Sequence, residues 1–216
     1  MDIKTLIDQY FDSETDITID AFDFDNIYNV YHRIISKLSS HFEIEISVMQ
    51  GLSYCFYEIL DNVLTHSGKK SGVAITSFNP SNSALKVLIA DDGMGICNSL
   101  KQNKEFESIS ERDALKFCIK DKVTDGKGMG FGLYSTSILA KNAAIRFEIR
   151  SGENKLYLKD KEIIVESDSN WQGTIVFLEL STNNEINPNE IVSYRTDCIS
   201  QYNESFIDNE KLEKLW

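Results

Sequence analysis

Three strand candidates follow one another near the end of the patterned sequence, IRFEIR (145–150), KEIIVE (161–166) and GTIVFLEL (173–180), with no helical periodicity between them. A doubly wound sheet needs a crossover helix between successive parallel strands, so this run excludes a βαβ alternation along the whole chain. Two further candidates, GVAITSFN and ALKVLIADDG, are joined by the turn NPSNS. Helical patterns fill the remainder. A short helix is expected near Ile3 to Tyr10, ahead of the strand-like DITID (16–20). Asp25 and Asn26 are placed to cap a helix that carries Ile27, Val30, Ile34 and Leu38 on one face. A longer helix, Ile46 to His66, carries Val48, Leu52, Cys55, Ile59 and Val63 on one stripe and is stopped by Ser67-Gly68. Two more are expected at Glu111 to Asp121 and Leu133 to Asn142. The sum predicts an α+β, two-layer α/β sandwich.

The chain has 216 residues, a size that fits one domain plus a tail. Twenty-two lysines and arginines face 34 acidic residues, a net charge of −12, and the resulting field repels nucleic-acid phosphates and anionic membranes. Eight acidic residues precede Asn26 with only Lys4 against them, so residues 1–19 are expected to form an acidic segment ahead of the domain at 20–181. After residue 181 the composition turns polar, STNNEINPNE, and residues 182–216 are expected to be a tail with a possible helix. Four scattered cysteines form no Cys-x-x-Cys pair or metal-ligand spacing, which fits reduced thiols in a cytoplasm. No apolar run is long enough to cross a bilayer, and MDIKTLIDQYFDSE is too acidic for a signal peptide.

Three stretches carry candidate chemistry. In YEILDNVLTHS, Glu58 and Asn62 stand four residues apart and share a helix face at the edge of the apolar stripe. Two polar residues can simply flank a core, but an amide oxygen is also a hard ligand for Mg²⁺, and a glutamate beside it suits a general base. In ALKVLIADDGMGI an apolar strand runs into Asp91-Asp92 and then Gly93-x-Gly95. This is either an ordinary Asp-Gly turn or a carboxylate placed where glycines let a ligand come close. In DGKGMGFGLYS, glycines stand at 126, 128, 130 and 132. The stretch is neither Gly-x-x-x-x-Gly-Lys-Ser/Thr nor Gly-x-Gly-x-x-Gly, so the P-loop and dinucleotide readings fail. It is either a flexible connector or an anion cradle, because a helix N-terminus favours an anion by about 0.3–1 kcal/mol.

The order Glu58-x-x-x-Asn62, Asp91-x-Gly93-x-Gly95, Gly128-x-Gly130-x-Gly132-Leu133 and Gly173-Thr174 resembles that of the GHKL ATPases, over roughly residues 20 to 181. The resemblance implies a Bergerat fold: a mixed β-sheet covered on one face by helices, with ATP between them beneath a lid at about 98–127. It implies that Asn62 holds Mg²⁺ at the phosphates and that Glu58 is the base. Asp91 would accept the adenine amino group, with Gly93 and Gly95 making room. Gly128, Gly130, Gly132 and the amide of Leu133 would wrap the phosphates, Thr174 would complete the adenine pocket, and Lys122 and Lys127 are the lid cations nearest the glycine loop. His66 matches a family preference for Asn-x-x-x-His, yet its wheel position suits a packed or capping role.

With 57 residues ahead of Glu58, a separate phospho-acceptor hairpin is not expected, and His32 on its core-covering helix is not expected to replace it. In size the chain is similar to stand-alone bacterial anti-sigma-factor serine kinases. That likeness implies a cytoplasmic signalling regulator that binds ATP and a regulatory protein partner, and phosphorylates a serine on that partner or hydrolyses ATP. A nucleotide-gated binding switch with little turnover stands beside it, and a homodimer is left open.

Overall fold

The computed structural model describes residues 2–12, 15–41, 46–128, 130–143 and 145–181, with the side chains of 46–48 excepted. The expected tail, 182–216, lies outside the described residues. In chain order the elements are α1 (Ile3–Tyr10), β1 (Ile17–Asp23), α2 (Ile27–His41), α3 (Ile46–His66), β2 (Ser71–Asn79), β3 (Ala84–Ala90), α4 (Gly95–Leu100), a 3₁₀ turn (Lys104–Phe106), α5 (Glu111–Phe117), α6 (Gly132–Asn142), β4 (Arg146–Lys159) and β5 (Glu162–Ser181). Gly68, at φ 75°, takes the left-handed conformation that ends α3, as the Ser67-Gly68 pair predicts. The helix expected to reach Asp121 stops at Phe117.

The protein is an α+β fold around one open five-stranded sheet of order β1-β2-β3-β5-β4. Every pairing is antiparallel, so the expected mixed sheet is corrected. Two helices rather than one separate β1 from β2, which returns the chain in the opposite direction, and the remaining strands enter as hairpins or reversals. The candidates KEIIVE and GTIVFLEL are a single strand. The polar SDSNWQ between them reads as a turn, but it stays paired to β4 through register shifts between Arg150 and Asn154. The real turn is Asp160-Lys161, both at positive φ, as a tight hairpin requires.

One face of the sheet packs under α2, α3 and α6. Phe22, Ala74, Leu85, Val87, Ile89, Phe147, Ile149, Val176 and Leu178 point there, against Val30, Ile34, Leu52, Phe56, Ile59 and Leu139. The opposite face is covered too, which corrects the expectation of helices on one face only. Leu6, Tyr10 and Phe11, from α1 and its end, pack on Val73, Ile75, Leu88, Ala90, Ile175 and Phe177. Strand β3 is buried at all seven positions, and a run that is apolar on both faces requires a layer on each. The core therefore reaches back to α1, and the expected boundary at residue 20 falls within β1.

Helix α1 is also held by a polar network. Arg150, 3% exposed, pairs with Asp168 at 2.9 Å and donates to Ser169 Oγ at 2.6 Å and Gln9 Oε1 at 2.7 Å. The Tyr10 hydroxyl donates to Glu148, and burial raises its pKa well above the usual phenol range. Removing this buried cation leaves Lys155, 4.0 Å from Asp168, as that carboxylate's remaining cation and takes the donor from Ser169 and Gln9. Arg150→Met is expected to lower unfolding free energy by about 3 kcal/mol in urea titrations; a loss below about 1 kcal/mol would show that α1 is held by apolar contact alone.

Candidate functional site

Helix α3 buries Leu52, Cys55, Ile59 and Val63, so the positions beside that stripe sit at its rim, half-buried. Glu58 and Asn62 occupy that rim, and the start of α6 is pressed onto them. A β-carbon added at Gly132 would lie 2.9 Å from Glu58 Oε2, 3.0 Å from Glu58 Cβ and 3.3 Å from Asn62 Nδ2. A larger residue there needs the Glu58 carboxylate to swing aside and the Glu58 and Asn62 side chains to give by a few tenths of an ångström. The residue before α6, Phe131, supplies no side-chain cap, and its carbonyl accepts from the Ser135 amide at 2.8 Å; the helix N-terminus there favours a negative group. Burial first, and then the Asp61 charge, push the Glu58 carboxyl up to about 7, against a hydrogen bond from Tyr54.

Asp91 ends β3 and is 2% exposed. Burial pushes its carboxyl up to about 6, although the Gly93 and Thr174 amides bond to it and favour the charge; the Gly93 amide donates to Oδ1 at 2.7 Å. Glycines make this packing possible. A β-carbon on Gly93 would lie 2.2 Å from the Ser67 carbonyl, and one on Gly173 would lie 2.2 Å from the Asp91 carbonyl. Gly95, at φ 76°, faces the Ser151 hydroxyl at 2.7 Å on the same construction, and that hydroxyl accepts from the Ile96 amide and donates to the Gly173 carbonyl. The end of β3, the C-terminus of α3 and the opening of GTIVFLEL thus meet at one place. A shallow cavity of about 210 Å³ beside Asp92, lined by Asp2, Lys69, Asp92, Trp171 and Gln172, takes in neither Glu58 nor Asp91.

The glycine loop is tethered to the same place. Asp125, buried, accepts from His66 Nδ1 at 2.9 Å and from Ser99 Oγ at 2.8 Å, and its Oδ1 accepts from the Lys127 amide. Burial works against its charge, yet these bonds and the histidine hold the carboxyl below the usual range. Gly128 lies against the His66 ring, 3.6 Å from Nε2 to an added β-carbon. Gly130, at φ 74°, leaves no room for one, which would stand 2.5 Å from the Val123 carbonyl. His66 therefore neither sits in the core nor caps its helix: it ties α3 to the loop.

Much of the stretch expected to be a lid is packed. Ala114, Leu115 and Cys118 are buried, Glu111 accepts from the Glu153 amide at 3.0 Å, and Arg112 donates to the Val165 carbonyl. Turns carry the chain from Cys118 to Gly128.

The site brings together Glu58 with Asn62, Gly132 and Leu133, and Asp91 with Gly93, Gly95 and Thr174; Gly128 and Gly130 are linked to both through His66 and the loop. Asp125, Ser99 and Ser151 were not singled out in the sequence. The Asp125-Gly126 pair at the head of the glycine loop was the one available signal. No protein-family model matches the chain, and no curated protein matches it. Among the described residues no helix is long and apolar enough to cross a membrane.

Two outcomes follow from these contacts. Gly132→Ala is expected to lower stability by about 1–3 kcal/mol through overpacking against Glu58, whereas Gly128→Ala meets only an ordinary contact and is expected to be near neutral; thermal unfolding of both variants checks this, and equal costs would contradict it. The folded protein holds the Glu58 proton to about pH 7, while an unfolded glutamate releases it near 4.3. Between those values the folded state binds more protons, so this group's contribution to stability falls as pH rises. Glu58→Gln is expected to flatten that decline in denaturant titrations from pH 4.5 to 7, leaving the part from Asp91, which ends near 6.

Proposed function

We propose that the chain is an ATP-binding domain of the GHKL type, with the Bergerat arrangement adapted to an antiparallel sheet. The observation that carries this reading is the convergence of four separated motifs at one end of the sheet: Gly132 on Glu58 and Asn62, Gly93 on the C-terminus of α3, Gly173 on Asp91, and Gly128 on His66. Glycines that admit close packing at Asp91, which is buried, and at Glu58, which is half-buried, favour a site built for a ligand over unrelated turns.

The residues fit the nucleotide chemically. Asp91, deep and held by two amides, is an acceptor for the adenine amino group, and Gly93, Gly95 and Thr174 shape its surroundings. The N-terminus of α6, with Gly128, Gly130, Gly132 and the amide of Leu133, suits phosphate oxygens. Asn62 offers an amide oxygen to Mg²⁺, which would neutralise phosphate charge when bound. Glu58 stands beside that point and, once ionised, accepts the proton of an attacking hydroxyl. The hydroxyl is that of a serine on a regulatory protein partner, or of water.

A second reading, a nucleotide-gated switch with little turnover, draws support from the His66–Asp125–Ser99 tether, since a ligand that moves the glycine loop must also disturb α3 and α4. Calorimetry with MgATP separates these outcomes. The wild type is expected to bind, Asp91→Asn to bind about 10- to 100-fold more weakly, and Glu58→Gln to bind while losing phosphate release or transfer. Binding without turnover in the wild type selects the switch. Absence of adenine-nucleotide binding by the wild type refutes both.

A further inference from the structure

Phe24 and Tyr28 are the most exposed large apolar side chains among the described residues, at 61% and 60%. Phe24 lies in the turn entering α2 and Tyr28 in that helix's first turn. The Tyr28 ring rests on Tyr57 of α3, centroids 5.6 Å apart, and Tyr57 packs edge-on against Tyr31 at 5.8 Å. The rings thus form a supported ledge across α2 and α3. Its border is acidic: Asp23 and Asp25 precede Tyr28, and Asp61 stands one turn after Tyr57. The nearby cation Arg33 is already engaged by Asp20 at 2.8 Å.

We propose that this ledge docks a cationic segment of another protein, one that carries an apolar anchor between lysines or arginines. Tyrosine faces bind guanidinium and ammonium groups and give large contact area at small entropic cost, and the acidic border attracts and orients the same groups. Charge argues against the other occupants. A second copy would bring another acidic border face to face with this one in a chain of net charge −12. Residues 182–216 hold seven carboxylates against three cations, although their last six, KLEKLW, have the complementary pattern locally, so the test separates them. Tyr57 faces α2, through Tyr28 and Tyr31, whereas Glu58 faces Gly132 of α6, so the ledge stands apart from the proposed phosphoryl site and does not rest on the ATP reading.

The test uses the full chain without nucleotide and two labelled probes, the peptides Lys-Leu-Arg-Leu-Lys-Leu-Arg and Lys-Ser-Arg-Ser-Lys-Ser-Arg, in fluorescence anisotropy at physiological salt. The leucine peptide is expected to bind at least about tenfold tighter than the serine peptide, and Phe24→Ser or Tyr28→Ser to remove about that factor. Asp25→Asn with Asp61→Asn is expected to weaken binding and to shallow its salt dependence. A benzophenone-bearing leucine peptide is expected to crosslink wild type within residues 23–28 and 57–61, a readout that does not depend on any variant folding. Equal affinity for the two peptides, or crosslinks elsewhere, overturns the proposal. So does a wild-type dimer in sedimentation that Tyr28→Ser dissociates, or a tenfold gain in peptide affinity on Lys211→Glu with Lys214→Glu, which would assign the ledge to the chain's own end. Asp91→Asn is expected to bind the peptide as wild type does, so failure of the nucleotide reading leaves this result intact.

Discussion

The contact between Gly132 and the polar rim of α3 sets how α6 sits on the helical layer. Because position 132 has no side chain, the first turn of α6 rests on Glu58 and Asn62, and two otherwise ordinary helices bring a helix N-terminus, a carboxylate and a carboxamide together. The apolar stripe of α3 fixes the other coordinate. With Leu52, Phe56, Ile59 and Leu60 fully buried, α3 has no freedom to rotate, so its rim residues keep their direction. The burial that gives this rigidity also desolvates Glu58 and Asp91, and both carboxyls are raised toward neutrality for that reason.

A sheet covered on both sides explains how such a site is held steady. The helical layer above carries Glu58 and Asn62, while α1 below locks the opposite surface through apolar contact and the Arg150 network. Strand β3 lies between the two layers, and Asp91 is its continuation. The position of that carboxylate is therefore set by strand pairing on either side, with β2 and β5 registered along its whole length, rather than by a mobile loop. The glycine loop is the more adjustable partner, attached to this frame through Asp125 and His66.

Local signals in the sequence were strong where one residue pattern decides an outcome. The stripe of α3 with its Ser67-Gly68 stop, the helix after the glycine loop and the NPSNS turn all stand where periodicity and turn chemistry place them. The layer beneath the sheet was less legible. The alternation in β3 is hidden because, Lys86 apart, both of its faces are apolar, and α1 reads as an acidic segment since its few buried residues, Leu6 and Tyr10, are spread among charges. Strand direction is a property of the whole path of the chain, so no local pattern revealed that the sheet is antiparallel throughout. At the site, Glu58, Asn62, Asp91 and the glycines were legible as residue types at fixed spacing. Asp125 was not, because its meaning depends on His66 and Ser99, which are distant in sequence and meet only in the fold.

The most direct test of the account is a ¹⁵N–¹H NMR titration of the full chain with ATP and Mg²⁺, following individual amides. The largest shifts are expected on Gly128, Gly130, Gly132 and Leu133 together with Gly93 and Thr174, the two ends of one bound nucleotide. Shifts confined to other surfaces, or none at saturating nucleotide, would contradict the claim that these motifs converge to form an ATP site.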